Sequence, residues 1–84
     1  MTEKLIAVEK YDDLLAIFGN CDENIKLLEK AFSVTAVMKD SAVKLSGEEE
    51  QVEGAARAVG AMLQMLKNKT PLEEQSIRYC ISMA

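Results

Sequence analysis

The chain has 84 residues, 49% of them hydrophobic and 29% charged, which reads as one small globular domain and excludes an intrinsically disordered segment. Its net charge of −4 argues against strong free-standing affinity for nucleic acid, because that affinity rests on Lys and Arg displacing counterions from phosphates. With an aromatic share of 5%, the core has to be filled by aliphatic side chains, alanine and the five methionines.

The first nine residues hold one short apolar run, Leu5 to Val8, too brief for a secretory signal or a bilayer crossing, so no membrane partner is expected. Cys21 and Cys80 are isolated and there is no histidine, so two thiols alone cannot complete a zinc site. Two reduced thiols point to the cytoplasm.

Lys4 to Val8 is the first predicted strand, its apolar run suggesting burial on both faces or a central position. A short helix follows from about Asp12 to Phe18, with Leu14, Leu15, Ile17 and Phe18 at helical spacings and Asp12 and Asp13 at its positive end. Gly19 stands where a helix end needs a residue tolerant of positive φ. The second helix repeats Ile25, Leu28 and Phe32 at helical spacing and ends near Ala31 to Ser33. Asn20 with Glu23 is a capping-box candidate, and Asp22 an alternative cap.

Val34 to Met38 is β-branched enough for a strand and Ala42 to Ser46 alternates as a half-buried strand does, the two joined across Lys39-Asp40-Ser41 by a loop of about three or four residues. Ser46-Gly47 breaks the second of them. A long helix then opens on Glu48-Glu49-Glu50 and carries an apolar stripe of Val52, Ala55, Ala56, Val59, Met62, Leu63 and Leu66. Gly54 and Gly60 within it are expected to let the helix approach the sheet closely. Thr70-Pro71-Leu72-Glu73 carries the marks of a new helix start, with a last helix over about Pro71 to Ser82. The fold class is therefore α+β, in the order β-α-α-β-β-α plus a C-terminal helix.

The residues now carry a resemblance. Phe18-Gly19, Ile25, Leu28, Val34, Ala36, Val43, Leu45-Ser46-Gly47 and Val52 with Ala55-Ala56 are spaced as in a KH domain of type I topology. That resemblance implies a three-stranded antiparallel sheet packed on helices. More closely, Phe18-Gly19-Asn20-Cys21-Asp22-Glu23-Asn24-Ile25 resembles the opening domain of PhoH-like ATPases, with its Gly-x-x-Asp-Glu-Asn signature. By that resemblance residues 1–69 form a KH-like domain, and residues 70–84 a helix leading toward an ATPase domain that this chain lacks. ATP and Mg would belong to that ATPase domain. No cofactor is expected in this chain, which has no Gly-x-x-x-x-Gly-Lys-Ser/Thr run.

A KH domain that binds nucleic acid brings phosphates to the backbone of a Gly-x-x-Gly loop. Here Gly19, Asn20 and Cys21 match that loop, but Asp22 replaces its second glycine and Glu23 follows. Two carboxylates repel phosphate and compete for the helix end, so Gly19, Asp22, Glu23 and Asn24 are also readable as a structural turn and cap. On a KH scaffold the second helix and second strand border the nucleic-acid groove. Lys26 and Lys30 on that helix, with Lys39 and Lys44 on the hairpin, would then form a basic strip beside it. The plain alternative is a set of solvated lysines partnered by Glu23, Glu29 and Asp40.

No nucleophile has an adjacent base and no metal constellation exists, so the chain itself is not expected to be an enzyme. Two readings stay open. One is a weak binder of single-stranded RNA serving the neighbouring ATPase domain. The other is a structural or interdomain-docking module that binds no nucleic acid. Ile77, Ile81 and Met83 on the last helix are candidates for self-association.

Overall fold

A computed structural model describes every residue, Met1–Ala84. Its elements are β1 (Thr2–Ala7), α1 (Tyr11–Phe18), a 3-10 turn (Asn20–Asp22), α2 (Glu23–Phe32), β2 (Thr35–Lys39), β3 (Ala42–Gly47), α3 (Glu49–Lys67) and α4 (Glu74–Met83). This is the α+β order expected, consistent with a KH-like arrangement.

The three strands form one antiparallel sheet in the order β1-β3-β2. The central strand is β3, and the expectation of a central β1 is corrected. β1 is an edge strand with Leu5 59% exposed, and Val8 is buried just beyond its end. A short apolar run cannot show whether a segment has one neighbour or two, since that depends on pairing with residues far along the chain. The register ends with Lys39 opposite Ala42, so the hairpin loop is Asp40-Ser41, shorter than expected. Both residues have positive φ, 48° and 64°, as a two-residue turn of type I′ between twisted strands requires.

Register also assigns the faces. Ile6 lies opposite Val43, and Leu45 opposite Lys4 and Ala36, so these share the face toward the helices. Leu5, Lys44 and Val37 form a row on the other face, where Leu5 and Val37 stay exposed. Val43 and Leu45 are fully buried under Leu14, Ile17, Leu28, Val52, Val59 and Met62.

α3 supplies the longest wall of the core, through Val52, Ala55, Ala58, Val59 and Met62. Its two glycines part company. A Cβ on Gly54 would lie 2.8 Å from Cε1 of Phe32, so this glycine admits α2, not the sheet as expected. A Cβ on Gly60 would meet nothing within 4 Å, so no close approach inside the domain explains it.

α4 begins at Glu74, three residues later than expected. Thr70 does not cap it. Its backbone N–H instead donates to the Met65 carbonyl at 2.8 Å and closes the end of α3, with Lys69 in the left-handed region at φ 60°. Residues 70–73 thus form a strap between helices, and Ser76 Oγ donates to the Pro71 carbonyl at 3.2 Å. α4 packs on α2 and α3 and buries Ile77 and Cys80 in the main core. Ile77 is therefore not available to a second copy, whereas Met83 is 66% exposed. No helix is long and apolar enough to cross a membrane.

Candidate nucleic-acid interface

The geometry of the α1–α2 turn follows from its glycine. Gly19 adopts φ 78° and donates its N–H to the Leu15 carbonyl at 2.8 Å, which ends α1. Asp22 N–H donates to the Gly19 carbonyl at 3.2 Å. Cys21 and Asp22 both sit in the left-handed region, at φ 52° and 60°, and α2 starts at the next residue. Asp22 therefore precedes the helix without a side-chain capping bond, and the Asn20–Glu23 capping box does not form. A capping residue normally has an extended backbone, and Asp22 is left-handed instead.

Asn24 holds the turn instead. It is buried, and its Nδ2 donates to the Ala16 carbonyl at 3.0 Å, tying the first turn of α2 to the last turn of α1. Asn20, Cys21 and Asp22 are exposed around it.

Two adjoining clefts flank this turn, of about 490 and 460 Å³, sharing Glu23, Asn24 and Leu72. Their charged lining is Asp12, Glu23, Glu73 and Glu74, with no lysine or arginine. Asp22 lines neither. The strap before α4 brings Leu72, Glu73 and Glu74 to the turn, and no signal near residues 18–25 announces them. Their approach depends on where α3 ends and the chain doubles back. A phosphate entering here meets carboxylates and no cation in the lining, Glu74 alone being paired, with Arg78.

The four lysines of the expected strip are not together. Lys26 and Lys30 are exposed on α2. Lys39 and Lys44 share the outer face of the sheet, because Val43 and Leu45, the neighbours of Lys44 in β3, face the helices. Lys44 pairs with Glu3 at 3.3 Å, and the other ion pair is Arg78 with Glu74 at 3.0 Å. The expected lysine partners are thus corrected: Glu23 and Asp40 form no ion pair, and Glu29 is engaged elsewhere. Its Oε2 accepts the Ala36 N–H at 2.8 Å, closing one donor on the free edge of β2. Cys21 is exposed and Cys80 buried. Burial raises the Cys80 thiol above its ordinary pKa, and a backbone hydrogen bond lowers it in part.

No family model matches the chain, and no solved structure matches it. Among curated proteins it is similar to the PhoH-like protein of Bacillus subtilis, with 31% identity over 88 residues that take in the whole chain and 28% of that relative. It is 28% identical over 72 residues to the PhoH-like protein of Mycobacterium leprae, covering 86% of the chain and 21% of the relative. For the PhoH-like protein of Mycobacterium tuberculosis the identity is 26% over 72 residues, covering 86% of the chain and 20% of the relative. The chain spans between 20% and 28% of the length of the curated relatives it matches.

Proposed function

We propose that this chain corresponds to one small domain of PhoH-like proteins, and that it is a non-catalytic, KH-like accessory domain that binds single-stranded RNA weakly. The ATP and Mg chemistry of the whole protein would reside in a separate P-loop domain. One observation carries the reading: in a KH-like arrangement, α2 offers Lys26 and Lys30 at helical spacing, exposed and outside any ion pair, beside the edge strand β2. Contact at α2 does not require a phosphate to enter the carboxylate-lined turn. Such contact is electrostatic and modest, and it weakens steeply with salt.

The test is an amide-resolved titration with short single-stranded RNA at low ionic strength. Shifts along α2, reduced in Lys26→Glu and Lys30→Glu, are the expected result. Unperturbed α2 amides at about 1 mM RNA would reject the reading, that concentration corresponding to about −4 kcal/mol of binding.

A second reading has an observation of its own. The clefts at the Gly19 turn are lined by four carboxylates and by Leu72, a surface suited to a cationic protein partner. Such a partner would be the ATPase domain of the parent protein, with this chain as an interdomain-docking module. An RNA-silent domain that shifts Glu23, Leu72 and Glu73 when the remainder of a PhoH-like protein is added in trans would establish it.

A further inference from the structure

We propose that the free edge of β1 and the face of α3 beside it form a docking groove for an extended acidic peptide, which adds to the sheet as a fourth strand. Three independent features converge there. First, β1 pairs on one side only, so its other edge offers unpaired N–H and C=O groups, and Leu5 stands 59% exposed on it. The opposite edge, on β2, is partly closed by Glu29.

Second, Gly60 lies in the interior of α3 with open space where its side chain would be. It shares a helix face with Ala56 and Leu63, which line the clefts between α3 and the β1 segment. An interior glycine weakens a helix, and nothing within the domain uses the room it leaves. An incoming backbone would.

Third, the charge along the groove is net positive. Lys4 and Arg57 line a cleft of about 340 Å³ at one part of this seam, and Lys10, Lys67 and Lys69 line another of about 470 Å³. These are five of the ten cations of an acidic chain, against the carboxylates Glu9, Asp13 and Glu53, and none of the five is in an ion pair. Charge favours any polyanion. The free strand edge and the exposed Leu5 favour a peptide over nucleic acid, because a strand can satisfy the edge with its own backbone. Its alternate side chains would then be glutamates toward Lys4 and Arg57 and apolar residues beside Leu5.

The intact 84-residue chain is titrated with a capped peptide of about eight alternating valines and glutamates, a common strand length. The expected result is amide shifts and slowed hydrogen exchange in Thr2–Ala7 with little change in α2. Replacing the glutamates by lysines should abolish binding, and Arg57→Glu with Lys67→Glu should weaken it roughly tenfold or more, about 1.4 kcal/mol. Gly60→Leu fills open space and improves helix propensity, so it should keep the fold and lose the peptide. The proposal is overturned if the peptide leaves β1 unshifted at about 1 mM, if Gly60→Leu binds undiminished, or if the lysine peptide binds as well. Protection of the same β1 amides by oligouridylate but not by the peptide would assign the seam to nucleic acid instead. A dimeric mass without peptide, with β1 protected, would assign it to a second copy.

Discussion

Asn24 occupies the space that a side chain on Gly19 would need: a Cβ built there falls 2.8 Å from both Cγ and Nδ2 of Asn24. The same Nδ2 donates to the Ala16 carbonyl, so one amide both locks the two helices and excludes any larger residue at the glycine. The spacing from Gly19 to Asn24 is thus a packing relationship. It explains the turn without reference to a ligand.

Gly19→Ala should destabilise the domain by about 2–3 kcal/mol, from positive φ and overlap together. Asn24→Ala should cost about 1–2 kcal/mol by leaving the Ala16 carbonyl without its donor. The two costs should not add. Once Asn24 is truncated the overlap is gone, so Gly19→Ala should cost about 1 kcal/mol less in that background. Urea denaturation of the four proteins of the cycle measures the coupling, and strict additivity would contradict the relationship.

The helical glycines should respond with opposite signs. Gly60→Ala has room and should raise stability by about 0.5–1 kcal/mol. Gly54→Ala gains the same helix propensity but forces the Phe32 ring aside, a cost of about 1–3 kcal/mol, so its net effect should be a lower Tm. Thermal melts monitored by circular dichroism at fixed pH distinguish the two.

Glu29→Ala should expose the Ala36 N–H and reduce stability by about 1–2 kcal/mol, with faster exchange at that amide. Glu29→Gln keeps an acceptor oxygen and should lose less. Equal exchange rates at Ala36 in all three proteins would show that the carboxylate does not guard the strand edge.

Cys80 ties stability to alkaline pH. Its folded-state pKa is raised by burial, so the folded chain holds the thiol proton more tightly than the unfolded chain. The resulting contribution is complete below the ordinary thiol pKa of about 8.5 and is lost as pH rises through the higher folded value. Cys80→Ala should flatten the fall in stability above that pH, at the expense of a small cavity against Met65. Alkylation should label exposed Cys21 first, and equal labelling rates for both thiols would contradict the burial assignment.

Much of the fold was legible from local pattern. The periodicity of Leu14, Ile17 and Phe18, of Ile25 and Leu28, and of Val52, Ala55, Val59 and Met62 placed three helices, and these residues are the core. The alternation of Val43, Lys44 and Leu45 placed β3. All of these are signals between near neighbours, whose spacing along a helix or strand is set by backbone geometry alone. Sheet order, the separation of Lys26 and Lys30 from Lys39 and Lys44, and the strap that brings Glu73 and Glu74 to the Gly19 turn were decided only in three dimensions. Each depends on contacts between segments far apart in sequence, where one residue of register changes the face a side chain occupies.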